Sequence, residues 1–88
     1  MSFNIDEIKK KIIYRSTYRG TKEMDVLLSS FTKQIINDLN EDELINLSNL
    51  LDIDDENLYK FNQGLLPTVD IEVNKISKLF KEFKLVKV

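Results

Sequence analysis

The sequence predicts an all-α protein, a small antiparallel bundle of about five helices that forms a single helical domain over residues 1–88. Apolar residues recur three and four positions apart through most of the chain, which is the spacing of one helix face. No segment alternates apolar and polar residues long enough to indicate a strand. The chain contains only two glycines and one proline. Few positions therefore interrupt the helices.

The first helix is predicted from about residue 5 to about residue 18. Asn4 is suited to cap its N-terminus. Ile5, Ile8 and Ile12 recur at helical spacing and supply its apolar face. Gly20 follows, and a glycine just past a helix adopts the left-handed conformation without a steric penalty. We therefore expect the first helix to end shortly before Gly20.

The second helix has the clearest apolar stripe in the chain. Its members are Met24, Leu27, Leu28, Phe31 and Ile35. A third helix is predicted to begin at Asn40, because Glu43 follows three residues later in the pattern of a capping box. Its apolar face consists of Leu44, Leu47, Leu50 and Leu51.

A short fourth helix is predicted between an aspartate cap, Asp52 or Asp54, and Gly64. It carries Leu58, Tyr59 and Phe61.

Pro67 prevents a simple continuation of the fourth helix. A fifth apolar stripe follows, formed by Val73, Ile76, Leu79, Phe80 and Phe83. The opposite side of this helix carries Lys75, Lys78, Lys81 and Lys84. Short loops are expected to make neighbouring helices antiparallel. Residues 85–88 are expected to be frayed or extended.

The composition argues against several kinds of chemistry. The chain has neither cysteine nor histidine, so it lacks a thiolate nucleophile and the commonest proton shuttle at neutral pH. No serine has a histidine to activate it, and we predict that the protein is not an enzyme. The acidic run Asp52–Glu56 does not match the spacing of a calcium-binding loop, so no metal site is expected.

The sequence also predicts where the protein resides. No apolar run approaches the ~20 residues that span a bilayer, so no membrane insertion is expected. The N-terminus lacks the pattern of a secretory signal. The absence of a transit peptide favours the bacterial cytoplasm over the mitochondrial matrix.

The net charge of −2 conceals an uneven distribution along the chain. Residues 1–22 carry six basic and two acidic side chains, whereas residues 23–56 carry ten acidic and one basic. This pattern favours a protein partner over nucleic acid, and we expect a monomer. The alternative is a small helical nucleic-acid-binding or regulatory module that uses Lys9, Lys10 and Lys11 of the first helix.

The segment between the first two helices is the main candidate for a site. Gly20 and Glu23 have simple structural explanations, since one ends a helix and the other lies near the positive end of the next. Arg19 offers a planar fork of donors that suits a carboxylate or carbonyl groups.

The stretch IIYRSTYRGTKEMDVLLSSF, residues 12–31, resembles the SdhE family of succinate dehydrogenase assembly factors, also called flavinators. The family motif Arg-Gly-x-x-Glu corresponds to Arg19, Gly20 and Glu23. A second stretch, LLDIDDENLYKFNQG, resembles the family's later pattern of leucines, acids and a terminal glycine.

The resemblance implies an assembly factor that binds the flavoprotein subunit of succinate dehydrogenase, and in many bacteria that of fumarate reductase. It would promote covalent attachment of FAD to a histidine of that subunit. The FAD belongs to the client, so the factor needs no cofactor of its own. The implied partner-binding residues are Arg19, Gly20 and Glu23, flanked by Arg15, Lys22 and Asp25.

On this interpretation the motif is a free surface. We expect Arg19→Ala and Glu23→Ala to abolish partner binding and to leave helix content and melting temperature nearly unchanged. Circular dichroism and a binding assay test both points.

Overall fold

The computed structural model describes residues 4–85, and five α-helices with one short 3₁₀ turn account for most of them. The predicted all-α class is confirmed, and residues 4–85 contain no strand. The helices are α1 (Ile5–Thr17), α2 (Lys22–Ile35), α3 (Glu41–Leu51), α4 (Asp55–Asn62) and α5 (Lys75–Glu82), and the 3₁₀ turn Ile36–Asp38 follows α2. No helix within the described range is long and apolar enough to cross a membrane.

Polar side chains fix the start of each helix. Asn4 caps α1 by accepting a hydrogen bond from the backbone N–H of Glu7, and the predicted capping box at α3 is present. Asp54, rather than Asp52, caps α4. Hydrogen bonds from the side chain and backbone of Asn57 hold the pKa of the Asp54 carboxyl below its ordinary value. The sequence alone left these two aspartates as alternatives.

The core lies where the apolar faces of all five helices meet. The α1 helix packs on α2 and α3, and α5 packs on α3 and α4. Phe31 and Phe80 are fully buried, with ring centroids 5.1 Å apart in a tilted arrangement. Tilted aromatic pairs at this separation stabilise a fold by more than the burial of their apolar area alone. The Phe31–Phe80 contact therefore joins α2 to α5.

The segment before α5 differs from the prediction. Val73 is 72% exposed and precedes the helix, so it is not part of the fifth apolar stripe. Residues 63–74 form neither helix nor strand, which corrects the expectation that all connections are short. Leu85 is non-helical, whereas the rest of the predicted frayed end, residues 86–88, lies outside the described residues.

A buried amide holds the end of α4 against α5 despite this long connection. The Asn62 side chain is almost fully buried and donates hydrogen bonds of 2.8 Å to the carbonyls of Phe80 and Phe83. Because buried polar groups cost free energy unless they are paired, this arrangement favours one position of α5.

A second tie joins the beginnings of α3 and α5. Glu43 accepts hydrogen bonds from the backbone N–H of Asn40 at 2.9 Å and from Lys75 Nζ at 2.8 Å. These interactions, that with Lys75 first, hold the pKa of the Glu43 carboxyl below its ordinary value of 4.5. The ionised form of Glu43 therefore stabilises the folded state.

We expect Phe31→Ala to lower the free energy of unfolding by about 3–5 kcal/mol, because it opens a cavity at the centre of the core. Val26→Ala on the same helix is the control, since Val26 is 44% exposed. Urea denaturation followed by circular dichroism measures both. Equal losses in the two variants would contradict the assignment of Phe31 to the core.

The Glu43 interactions predict a pH dependence of stability. Because the pKa of Glu43 is lower in the folded than in the unfolded chain, its contribution is present above about pH 4.5 and is lost as the pH falls through the folded-state value. As the pH is lowered from 6 to 3, the melting temperature should fall more steeply for the wild type than for Glu43→Gln. Parallel curves would show that Glu43 has no such role.

Candidate docking site

The turn between α1 and α2 is short and closed by hydrogen bonds at both ends. Tyr18 caps α1, and its N–H donates to the carbonyl of Tyr14. Thr21 caps α2 by accepting from the N–H of Met24 at 3.2 Å. Between them Gly20 has a φ of +139°, a conformation that residues with a side chain rarely adopt. The caps on both sides therefore hold the exposed backbone of Gly20 in one conformation.

Arg19 ties this turn to the connection between α3 and α4. Its Nε donates to Asp55 Oδ1, its Nη1 to the carbonyl of Leu51 and its Nη2 to the carbonyl of Ile53, each at 2.8 Å. The Arg19 side chain is only 11% exposed. We call Arg19, Asp55 and these two carbonyls the Arg19 latch. It joins two turns that are more than thirty residues apart in sequence.

The latch satisfies groups that the fold would otherwise leave unpaired. Leu51 is the last residue of α3, where backbone carbonyls lack partners within the helix. A cation near this end also interacts favourably with the helix dipole. Asp55 begins α4, where a carboxylate is favoured for the opposite reason. One guanidinium thus stabilises the end of one helix and the start of the next.

The backbone of the turn has an anchor of its own. The N–H of Arg19 donates to the Asp25 carboxylate, which lies in the first turn of α2. Gly20 also lies close to the latch, since a Cβ built there would be 3.6 Å from Asp55 Oδ2. That distance is an ordinary contact, so the requirement for glycine comes from the backbone conformation rather than from a clash.

Arg15 makes a second connection between α1 and α3. Its Nη1 donates to Ser48 Oγ at 2.9 Å, and its Nη2 pairs with the Asp52 carboxylate. Asp52 is 68% exposed, so water screens this pair and it contributes less than the Arg19 latch.

The six predicted site residues therefore divide into two groups. Arg19 and Asp25 hold the turn in place through bonds within the domain, and Arg15 holds α1 on α3. Gly20, Lys22 and Glu23 are exposed, and none of the ion pairs within residues 4–85 includes Lys22 or Glu23. The expected free surface around Arg19 is corrected, because its guanidinium is directed into the domain.

Sequence reasoning did not find Asp55 or the two carbonyls that Arg19 contacts. Contacts across more than thirty residues leave no periodic signal, and carbonyl acceptors are independent of residue type. The acidic run that includes Asp55 was nevertheless noticeable. Asp52 pairs with Arg15, Asp54 caps α4 and Asp55 pairs with Arg19. In the described part of the chain no cluster of acidic side chains is arranged to hold a metal ion.

The chain also matches a known family. A family model described as "Flavinator of succinate dehydrogenase" matches residues 10–84. The chain belongs to this family. The match includes both stretches on which the sequence resemblance depends, and the predicted family is confirmed.

Individual relatives agree with this assignment. A Debaryomyces hansenii protein named "Succinate dehydrogenase assembly factor 2, mitochondrial" is 35% identical over 90% of this chain and 58% of its own length. A Danio rerio protein of the same name is 30% identical over 90% of this chain and 51% of its own. The Acetobacter pasteurianus "FAD assembly factor SdhE" is 28% identical over 73% of this chain and 59% of its own. This chain spans about half the length of the curated relatives it matches. No solved structure gives a significant match.

These relatives contradict the predicted bacterial cytoplasmic location. Proteins from Debaryomyces hansenii, Scheffersomyces stipitis and Danio rerio carry the word mitochondrial in their names, although a bacterial relative also matches. The prediction relied on finding no targeting segment in the first residues of the sequence. That feature is a poor guide to location, because such segments are removed from mature chains.

We expect Arg19→Ala to lower the free energy of unfolding by about 2–4 kcal/mol, because it leaves the Asp55 carboxylate and two carbonyls without their partner. This replaces the expectation of an unchanged melting temperature. Lys22→Ala is the control and should change stability by less than about 0.5 kcal/mol, since Lys22 is exposed. Chemical denaturation measures both. Equal stability of Arg19→Ala and wild type would contradict the latch.

Proposed function

We propose that this chain is an assembly factor that binds the flavoprotein subunit of succinate dehydrogenase and promotes covalent attachment of FAD to it. The observation that carries the proposal is the exposed Gly20 turn, held in one conformation by the Arg19 latch in a member of the flavinator family. The names of the relatives, which refer to succinate dehydrogenase assembly and to FAD assembly, support it.

The exposed residues of the turn suit close contact with another protein. Gly20 has no side chain, so a partner backbone can approach it directly. Lys22 and Glu23 lie beside it and provide one cation and one anion, which are suited to a partner carboxylate and to partner N–H groups. The latch keeps this surface ordered before binding, which reduces the entropy lost on association. Arg19 and Asp25 thus hold the turn from inside the domain, and Arg15 holds α1 on α3.

In this proposal the factor acts by orienting its client. The chain contains no histidine, so the histidine that receives the flavin belongs to the client, and in this proposal the client also supplies the FAD. Binding to one arrangement of the client raises the population of that arrangement. If the histidine and the flavin ring are aligned in it, the attachment becomes faster because less orientation remains to be achieved. The factor itself turns over no substrate, acts as a monomer and requires no nucleic acid.

The proposal is tested with the purified chain, the apo flavoprotein subunit and FAD. We expect the wild-type chain to bind the subunit and to increase its covalent flavin, measured as fluorescence that survives denaturing electrophoresis. Glu23→Lys should weaken binding by about tenfold or more, because it reverses one of the two charges of the exposed turn. Glu82→Lys, the same charge reversal at an exposed glutamate of α5, is the matched control and should behave as wild type.

Thermal melts of both variants separate loss of contact from loss of fold. A wild-type chain that binds the subunit without increasing covalent flavin would contradict the flavinylation step. Equal binding by Glu23→Lys and Glu82→Lys would remove Glu23 from the docking surface.

A further inference from the structure

One exposed face of α1 carries two tyrosines and two lysines in a continuous row. Tyr14 and Tyr18 are 66% and 68% exposed, and their ring centroids lie 4.7 Å apart. Lys10 and Lys11 precede Tyr14 by four and three residues, so they occupy the same side of the helix. All four side chains are exposed. We call Lys10, Lys11, Tyr14 and Tyr18 the α1 stripe.

Folding of the domain does not account for the α1 stripe. Neither tyrosine belongs to the core, and two large aromatic side chains left mostly in water gain little from folding. No ion pair within the described range involves Lys10 or Lys11. Arg15, on the neighbouring side of the same helix, is bound to α3. The aromatic surface and the positive charges of the α1 stripe thus make no contribution to the packing of the domain.

We propose that the α1 stripe binds an acidic segment of the flavoprotein client, an inference that rests on the proposed function. Exposed tyrosines are typical of residues that dominate protein interfaces, because they supply a large rigid surface and a hydroxyl donor. The contact between the two rings limits their motion before binding. Lys10 and Lys11 complement carboxylates on the segment, and the phenol hydroxyls can donate to the same groups.

The position of the stripe supports a single client. Tyr18 caps α1 and lies two residues before Gly20, so the stripe begins where the exposed turn ends. A protein that covers Gly20, Lys22 and Glu23 needs only a short extension along α1 to reach Tyr14. The stripe and the turn would then be two parts of one interface.

The charges around the stripe favour an acidic protein segment over a nucleic acid. Glu7 lies one turn before Lys11 on the same side, and Asp52 lies beside α1 through its pair with Arg15. The whole chain is acidic, with a net charge of −2. A long polyanion would meet these negative groups, whereas a segment with a few carboxylates can be confined to the two lysines.

The test measures binding of the full chain to the purified flavoprotein subunit at low and high salt. We expect Tyr14→Ala with Tyr18→Ala to raise Kd by roughly tenfold or more at either salt concentration. Lys10→Glu with Lys11→Glu should raise Kd by about tenfold at low salt and by much less at high salt, since salt screens exposed charges. The control is Lys33→Glu with Lys78→Glu, the same charge change at exposed lysines of α2 and α5, and it should stay within about twofold of wild type.

The outcomes distinguish this inference from the proposed function. If the wild type binds the subunit and both stripe variants bind it equally well, the stripe is not an interface and the proposed function stands. If the wild type does not bind the subunit, both are overturned. A single-stranded oligonucleotide is the second probe. Binding of it by the wild type and loss of that binding in the lysine variant would identify a nucleic-acid site and overturn the choice of partner.

Discussion

The Arg19 guanidinium is the interaction on which the geometry of the docking turn depends. Its three hydrogen bonds run in different directions from one planar group to a carboxylate and two carbonyls. A lysine in this place would offer a single charged centre and could not reproduce that fork. Because the acceptors belong to the end of α3 and the start of α4, the turn before α2 is held relative to both helices.

This role changes how the family motif is understood in physical terms. The arginine and the glutamate of Arg-Gly-x-x-Glu are both charged, yet only Glu23 is exposed. Arg19 forms its hydrogen bonds within the domain. The backbone of the adjacent Gly20 is exposed and has a conformation that other residues rarely adopt. A partner would therefore meet a turn whose shape is settled before contact. Order of this kind favours affinity because less freedom is lost on binding.

Local chemistry explains which parts of the fold were predictable. The capping box at Asn40 and the stripe from Met24 to Ile35 depend on groups within a few residues of each other. The connection 63–74 was harder to anticipate, since Val73 has the spacing of a helix face but precedes the cap at Asn74. The amide of Asn62 that holds α5 acts over about twenty residues and has no periodic signature.

The sequence by itself determined the all-α class, the order of five helices, the N-terminal caps of the first and third helices, and the family to which the chain belongs. These follow from spacing, from short-range hydrogen bonding and from a motif of adjacent residues. Only the tertiary structure decided that Arg19 faces inward to Asp55 while Glu23, Tyr14 and Tyr18 face water. The physical reason is that an ion pair between distant segments forms only when packing brings their backbones together, so its partner cannot be read from the neighbours of either residue.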